Sequence, residues 1–378
     1  MNRPNYSSGN RHEISYLIHN LGLLPYPAMQ LVKNNINELN RMQLAARKME
    51  NDGVLERHKM RAKYGNQFLT FKDYDKNKTT LTSHIDKACI DNYINNHQRK
   101  LYLTWGASNM DGMRKILTAY IGSFIYASNI DIFPDQDKGV NKYYTSQEIK
   151  RYSHFKTDID IKDAKQRISF SKAFGMAVTE GGNYLTYMAW HNEIPGFTTG
   201  EYKFRNTAHE TLLKLEADNP TPEALLLMKD AHGIKKYICT DITPYNSERL
   251  LRFKDLYASP YILPFSREGR KHMEIMCTPL WKERLLKTVF GDVQDTKLAN
   301  VVCHHYDKAT KTASLLFCIP NLSMLSDFYM SAALANDKKK FRIICFDYQY
   351  EYLKDIVGDM CELYTTPLDD YYNKVIGG

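Results

Sequence analysis

The sequence has few features of an exported or membrane-embedded protein. Its seven cysteines form no Cys-x-x-Cys pair, and several of them lie in strongly apolar runs. This pattern indicates reduced, mostly buried thiols. Residues 1–10 contain no apolar signal core, and the longest apolar runs, such as residues 313–320, are too short to span a bilayer. We therefore expect a cytoplasmic protein without a membrane partner.

The sequence also lacks the short motifs of the commonest nucleotide and covalent chemistries. It contains no Walker A motif, no dinucleotide-binding glycine pattern, no Gly-x-Ser-x-Gly elbow and no His-Glu-x-x-His pair. Its glycines are isolated or occur at turns, and no repeat of fixed period is evident. Nucleotide-driven and nucleophile-based catalysis therefore have no support, and we expect no cofactor.

Positive charge is present in excess, and the whole excess lies in the N-terminal third of the chain. Residues 1–115 hold 18 Lys and Arg against 10 Asp and Glu, a net charge of +8. Residues 116–378 hold 33 of each sign and sum to zero. A localised basic surface is typical of a protein with a polyanionic partner. The alternative is a solvated basic face without a partner.

The basic region begins with a pattern of three helices. Between Ile14 and Leu21, apolar residues recur at the i, i+3, i+4 and i+7 positions of one helix face. Gly22 can adopt the left-handed conformation that ends a helix. Residues 27–32 predict a short second helix that starts with proline, and residues 37–51 predict a third, basic helix.

Two strand-like runs, residues 54–61 and 67–72, follow the third helix and are separated by turn signals. This order is that of a winged helix-turn-helix, in which the third helix enters the major groove and the wing touches the DNA backbone. Eight side chains are the predicted DNA contacts: Arg41, Gln43, Arg47 and Lys48 on the third helix, and Arg57, Lys59, Arg61 and Lys63 on the wing. The alternative is a three-helix subdomain whose hairpin binds protein or has no partner.

The length of the chain predicts more than one core. We expect a winged helix-turn-helix DNA-binding domain over residues 1–80 and a mixed α/β domain over residues 141–378. Residues 81–140 would be a helical connector or a dimerisation region, because a broad apolar stripe runs through residues 109–129. The predicted fold class is therefore α+β or α/β, with a restriction-endonuclease-like fold as one form of the mixed domain.

Within residues 141–378 the pattern alternates between strands and helices. Gly181-Gly182-Asn183 separates two strand-like runs and predicts a hairpin. Residues 199–204 predict a short strand, and residues 222–232 predict a helix. From residue 301 onward the pattern reads hairpin, helix, strand, helix, strand, which indicates a mixed sheet with flanking helices.

One constellation fits a metal-dependent nuclease. Nucleases of the restriction-endonuclease type place an Asp and a Glu-x-Lys pair on adjacent strands, where the carboxylates hold Mg²⁺ and the lysine orients or activates water. Asp135, Glu148 and Lys150 are the candidate catalytic residues, with Mg²⁺ or Mn²⁺ as cofactor only in that case. The competing interpretation is that Thr145 to Glu148 begins a helix.

A second candidate site is His304-His305 with Asp307, since some rolling-circle initiators and relaxases bind a metal through two histidines of one strand. Adjacent residues of a strand point to opposite faces, so both histidines cannot easily hold one ion. We therefore predict no metal site there.

Four stretches together resemble proteins of the replication-relaxation type, which occur on plasmids and integrative elements of Gram-positive bacteria. They are the winged-helix start and residues 169–190, 259–281 and 319–347. The resemblance implies an N-terminal winged helix joined to a mixed α/β domain, and a role in plasmid replication control or conjugative mobilisation. Some distant members are thought to be relaxases with a restriction-endonuclease-like fold. This sequence departs from a nuclease pattern at Asn321, which follows Pro320 where an Asp would be more suggestive.

The leading hypothesis is a double-stranded-DNA-binding protein of a mobile element, without catalysis of its own. We expect a homodimer, because one short helix reads too few base pairs for selectivity. The C-terminal domain would dimerise or recruit replication or conjugation proteins. Two alternatives remain: a metal-dependent nuclease or relaxase, and a winged-helix transcription regulator that responds to a ligand.

Overall fold

The structure, a computed structural model, divides the chain into two units, Met1–Tyr143 and Tyr144–Gly378. It describes residues 9–59, 67–72, 110–132, 141–146, 148–149, 171–189, 199–230, 232–235, 256–257, 259–291, 301–335 and 340–376. These residues form helices and three β-sheets, which confirms the predicted α+β class. Across these ranges, every helix falls short of the length and hydropathy that crossing a membrane requires.

Helices dominate the described part of the first unit. They are α1 (Gly9–Leu21), α2 (Met29–Val32), α3 (Ile36–Asn51) and α4 (Met110–Ala127). Gly22 has a φ of +86° and donates a hydrogen bond from its N–H to the Ile18 carbonyl (2.8 Å), which ends α1. The Asn35 side chain accepts the Glu38 N–H (3.0 Å) and caps the start of α3. The three helices predicted for this stretch are confirmed.

A small antiparallel sheet accompanies these helices. Its strands are β1 (Leu24–Pro25), β2 (Leu55–Lys59) and β3 (Gln67–Phe71), in the order β1-β3-β2. The pairing of β2 with β3 runs from Leu55 opposite Phe71 to Lys59 opposite Gln67. The two extended runs predicted after the third helix are thus confirmed where the chain is described. No pattern predicts β1, because two residues are too few to show strand alternation.

The core of the first unit lies where α1, α3 and α4 meet the sheet. Buried side chains of each helix supply it, among them Ile14, Leu17 and Ile18 of α1, Leu39, Met42, Ala46 and Met49 of α3, and Ile116, Tyr120 and Phe124 of α4. Full burial of a large apolar side chain contributes roughly 1.5–3 kcal/mol. The apolar stripe of residues 109–129 is therefore used within this unit, where α4 packs against α1, α2 and β1.

A five-stranded mixed sheet opens the second unit. Its strands, in spatial order, are β4 (Lys142–Thr145), β5 (Gly175–Thr179), β6 (Gly182–Ala189), β7 (Glu223–Met228) and β8 (Pro260–Pro264). β5 and β6 form the predicted antiparallel hairpin, whereas β6, β7 and β8 are parallel. The helix α5 (Thr199–Lys214) lies between β6 and β7 in the chain, and α6 (Arg267–Met276) and α7 (Trp281–Phe290) follow β8.

Two sequence predictions in this unit are wrong. Residues 199–204 form the start of α5 rather than a strand, and residues 223–228 of the predicted helix 222–232 form β7. β7 reads EALLLM and is a central strand, buried on both faces between two parallel neighbours. A continuous apolar run of this kind carries no strand alternation, and its leucines and methionine favour helix locally.

A second mixed sheet has four strands in the order β12-β11-β10-β9. They are β9 (His305–Asp307), β10 (Thr312–Leu316), β11 (Phe341–Phe346) and β12 (Glu362–Thr366). The helices α8 (Leu322–Leu334), α9 (Asp347–Val357) and α10 (Leu368–Val375) follow β10, β11 and β12, respectively. The alternation predicted from residue 301 onward is confirmed.

The two sheets of the second unit repeat one scheme. Leaving β4 aside, four strands of each sheet share one order: an antiparallel hairpin, a helix, and two further strands parallel to the second strand of the hairpin. A helix follows the last strand, α6 in the first sheet and α10 in the second, and α9 lies between β11 and β12. The helices α6 and α10 pack against each other. The Ile262 N–H of β8 also donates to the Pro320 carbonyl (3.1 Å). One hydrophobic core contains residues from both sheets, among them Leu226 and Ile343.

Candidate nucleic-acid interface

The outward face of α3 carries the positive charge of that helix. Its exposed residues recur with helical spacing: Ile36, Asn37, Asn40, Arg41, Leu44, Arg47, Lys48 and Asn51. Three of the four side chains predicted to contact DNA from this helix, Arg41, Arg47 and Lys48, belong to this face. The fourth, Gln43, is half-buried at its edge.

The two acidic residues of α3 lie at its ends and form local hydrogen bonds there. Glu38 lies in the first turn, where its carboxylate accepts the Asn34 N–H (3.2 Å). Glu50 lies in the last turn and pairs with Arg57. Because neither is among the exposed residues, the outward face of α3 bears three cations and no carboxylate. Such a face attracts an anionic partner.

Arg57 links α3 to the antiparallel strand pair. Its Nε and Nη2 donate to the two carboxylate oxygens of Glu50 (2.7 and 2.6 Å), and its Nη1 donates to Gln67 of β3 (3.1 Å). The guanidinium also lies over the Tyr26 ring, 4.7 Å from its centroid. The hydrogen bond to Glu50 raises the pKa of Arg57. The guanidinium is therefore engaged within the protein and orients β2 against the end of α3.

Of the other three cations predicted on the wing, Lys59 is the one whose backbone the structure describes. Lys59 ends β2, opposite Gln67. Arg61 and Lys63 lie outside the described residues.

Sequence reasoning selected interface residues by charge and missed the uncharged members of the same face. Asn37 and Asn40 precede Arg41 by four residues and by one, and Leu44 follows it by three. All three are exposed. Helical spacing from Arg41 and Arg47 is the signal that would have found them, because residues three or four apart are neighbours on a helix surface.

Of the candidate nuclease residues, Glu148 is described, whereas Asp135 and Lys150 lie outside the described residues. The Glu148 carboxylate accepts hydrogen bonds from the backbone N–H (2.6 Å) and the hydroxyl (2.7 Å) of Thr145. The Glu148 N–H in turn donates to the Thr145 hydroxyl (3.3 Å). This reciprocal pattern is a capping box, the competing interpretation of the same residues. Within the described ranges, no three His, Cys, Asp or Glu side chains are grouped to hold a metal ion.

The two adjacent histidines have separate surroundings. His304 Nδ1 accepts the Leu316 N–H (2.9 Å), and burial lowers the pKa of His304 to about 4. The His305 ring stacks on Phe290, with centroids 4.9 Å apart. Asp307 accepts hydrogen bonds from the Ala309 N–H (2.9 Å) and the Thr310 hydroxyl (2.7 Å), and the latter lowers its pKa. These contacts hold the β9–β10 turn.

A buried carboxylate that no motif indicated anchors α5 in the second unit. Glu201 has no exposed surface and accepts hydrogen bonds from the hydroxyls of Ser171 (3.0 Å) and Tyr187 (3.1 Å) and from the Lys172 N–H. The Tyr187 and Tyr257 hydroxyls are 2.6 Å apart. Burial raises the pKa of Tyr187, so its hydroxyl keeps its proton. The cluster joins the start of α5 to β6.

A second buried polar group, His272 of α6, connects elements of the same unit. Its Nε2 lies 2.8 Å from the Cys318 carbonyl, to which it donates, and its Nδ1 accepts from the Tyr348 hydroxyl (2.6 Å). Burial lowers the pKa of His272 to about 3. The ring is therefore neutral at physiological pH and serves as a structural crosslink between α6 and the second sheet.

The comparisons with known proteins add no relative to this description. No family model, no curated protein and no solved structure matches the chain.

Proposed function

We propose that the first unit contains a winged helix-turn-helix that binds double-stranded DNA. The chain order α1, β1, α2, α3, β2, β3 and the sheet order β1-β3-β2 support this proposal. In such a domain α3 enters the major groove and the β2–β3 pair is the wing that touches the DNA backbone. With 16 residues, α3 is about 24 Å long, enough to lie along a groove that admits an α-helix.

One observation carries the proposal: the exposed face of α3 bears Arg41, Arg47 and Lys48 and no carboxylate. These cations would contact phosphates or base edges, and Gln43 would contact the DNA from the edge of the face. Lys59, Arg61 and Lys63 would contact the backbone from the wing. Arg57 has a different role in the proposal, because its contact with Glu50 fixes the wing relative to α3.

The proposed setting is the cytoplasm of a bacterium, on DNA of a plasmid or integrative element. The resemblance of four stretches to replication-relaxation proteins supports a role in replication control or conjugative mobilisation. The second unit would dimerise or recruit other replication or conjugation proteins.

Salt dependence of duplex binding tests the proposal. The logarithm of affinity should fall linearly with the logarithm of salt concentration, because each neutralised phosphate releases counterions. Arg41→Ala combined with Arg47→Ala should weaken binding roughly ten-fold or more and reduce the slope by about 2. Fluorescence anisotropy of a labelled duplex, titrated at several salt concentrations, measures both quantities.

The matched control is Lys203→Ala combined with Lys308→Ala, which removes two exposed lysines from the second unit. This variant should bind DNA as the wild type does. Affinity that is independent of salt, or an equal loss in the two double variants, would contradict the proposal.

A further inference from the structure

An apolar residue, Leu44, lies in the middle of the exposed face of α3. Binding to phosphates alone does not require it. Leu44 is 61% exposed, although the buried face of the helix is already supplied by other side chains. It lies one turn from Arg41 on one side and one turn from Arg47 and Lys48 on the other. A single exposed leucine is common on protein surfaces, so a role for Leu44 depends on which side chains lie beside it.

Two exposed asparagines share this face with Leu44. Asn40 precedes Leu44 by four residues and Asn37 precedes it by seven, so the three side chains form one row along the helix. Neither asparagine side chain bonds to another residue in the part of the chain that the structure describes, whereas the side chain of Asn35 caps the helix. Asn37 and Asn40 therefore have amides available to a partner.

The row has the chemistry that recognises A·T base pairs in the major groove. An asparagine amide matches the N6 and N7 edge of adenine, and an apolar side chain packs on the C5-methyl group of thymine. Four residues of helix rise about 6 Å, close to the spacing of two base pairs. In addition, the asparagines lie in the N-terminal half of α3, the half of a recognition helix that contacts base edges.

We propose that α3 reads A·T base pairs, with Asn40 bonding to the adenine edge and Leu44 contacting a thymine methyl group. The flanking cations supply the affinity for the DNA backbone, and the uncharged row supplies the sequence preference. This inference rests on the proposed function and specifies the DNA that the same surface recognises.

The experiment starts with selection of binding sites from a random duplex pool by the full-length protein. The selected sites should be rich in A·T pairs. Each thymine of the best site is then replaced in turn by uracil, which removes only the C5-methyl group. Loss of one buried methyl should weaken binding about four-fold at one or two positions and leave the others unchanged.

Variants of Leu44 and Asn40 assign the contacts. Leu44→Ala should weaken binding to the thymine duplex by a similar factor and show no further loss on the uracil duplex, because the two changes remove the same contact. Asn40→Ala should lose at least about five-fold of the preference for adenine at one position. Leu334→Ala is the matched control, since it truncates an 81% exposed leucine of the second unit.

The outcomes separate this inference from the proposed function. Salt-dependent duplex binding without A·T enrichment, or equal affinity of wild type for thymine and uracil duplexes, overturns the inference and leaves DNA binding intact. An equal uracil effect in Leu44→Ala and in wild type also overturns the assignment of Leu44. Absence of duplex binding at low salt overturns the proposed function and this inference together. Circular dichroism of each variant establishes that it is folded.

Discussion

Arg57, Glu201 and His272 are polar side chains whose hydrogen-bonding groups point into the protein. Each joins elements that are separated in the chain: Arg57 joins α3 to β3, Glu201 joins α5 to residues before β5, and His272 joins α6 to the segment after β10. Glu201 and His272 are buried, and a buried polar group that loses its partners costs about 1–3 kcal/mol, whereas Arg57 is half-buried. These residues therefore stabilise the arrangement of their units.

At the scale of single residues, His272 predicts a pH dependence of stability. Its folded-state pKa of about 3 lies below the ordinary value of 6.5, so the unfolded chain binds the proton more tightly. Stability is complete above pH 6.5 and falls as the pH drops through the window toward 3, by up to about 1.4 kcal/mol per pH unit. His304, with a pKa of about 4, acts in the same direction.

Urea unfolding between pH 4 and pH 7 measures this dependence. In His272→Gln the amide can still donate to the Cys318 carbonyl. The slope of unfolding free energy against pH should decrease by up to about 1.4 kcal/mol per pH unit, which corresponds to one proton. The control is His232→Gln, which makes the same substitution at an exposed histidine of the same unit. An undiminished slope in His272→Gln would refute the assignment.

At the scale of elements, the sequence predicted correctly those segments whose apolar residues show a clear period. It was wrong where burial left no such period. α3 buries one face, and Ile14, Leu17 and Ile18 of α1 recur at helical spacing, so the apolar pattern predicted both helices. β7 is buried on both faces, and its continuous apolar run therefore had no period. At the start of α5 the buried residues are Glu201 and Phe204, and the polar Glu201 concealed the helical spacing of residues 199–204.

The Arg57 link predicts that the wing depends on α3 for its position. Arg57→Lys keeps the charge but loses the two-oxygen contact with Glu50, so stability should fall by roughly 1 kcal/mol, a value discounted for partial exposure. Duplex affinity should fall with little change in salt slope, because no phosphate contact is removed. Thermal unfolding and anisotropy measure the two effects.

Glu50→Gln is the companion variant, because it weakens the same link from the other side. It should reproduce the loss of stability. Unchanged stability in both variants, combined with a salt slope reduced by about 1 in Arg57→Ala, would instead assign Arg57 a direct phosphate contact.

At the scale of the molecule, the excess positive charge lies in the first of the two units. The net charge of +8 belongs to residues 1–115, within the unit Met1–Tyr143, and the rest of the chain is neutral overall. A localised excess of positive charge attracts polyanions to the first unit. Each sheet of the second unit contains the same four-strand order, with a helix after its last strand.

Dimeric DNA binding is the prediction at this scale. We expect two chains of 44.0 kDa on one two-fold-symmetric site, because a single recognition helix reads few base pairs. Half-sites should be spaced by about 10 base pairs or a multiple of it. Sedimentation with a selected duplex gives the stoichiometry, and footprinting gives the spacing. One chain on an asymmetric footprint would contradict the dimer.

Local pattern established the helices of the first unit, both hairpins of the second and the segregation of charge. These features depend on residues within a few positions of one another, through helical spacing, turn chemistry and composition. Long-range packing established the strand β7, the start of α5, the engagement of Arg57 and the burial of Glu201. Their partners lie elsewhere in the chain: β7 becomes a strand because β6 and β8 supply its hydrogen bonds, and Arg57 is held because Gln67 and Glu50 converge on it.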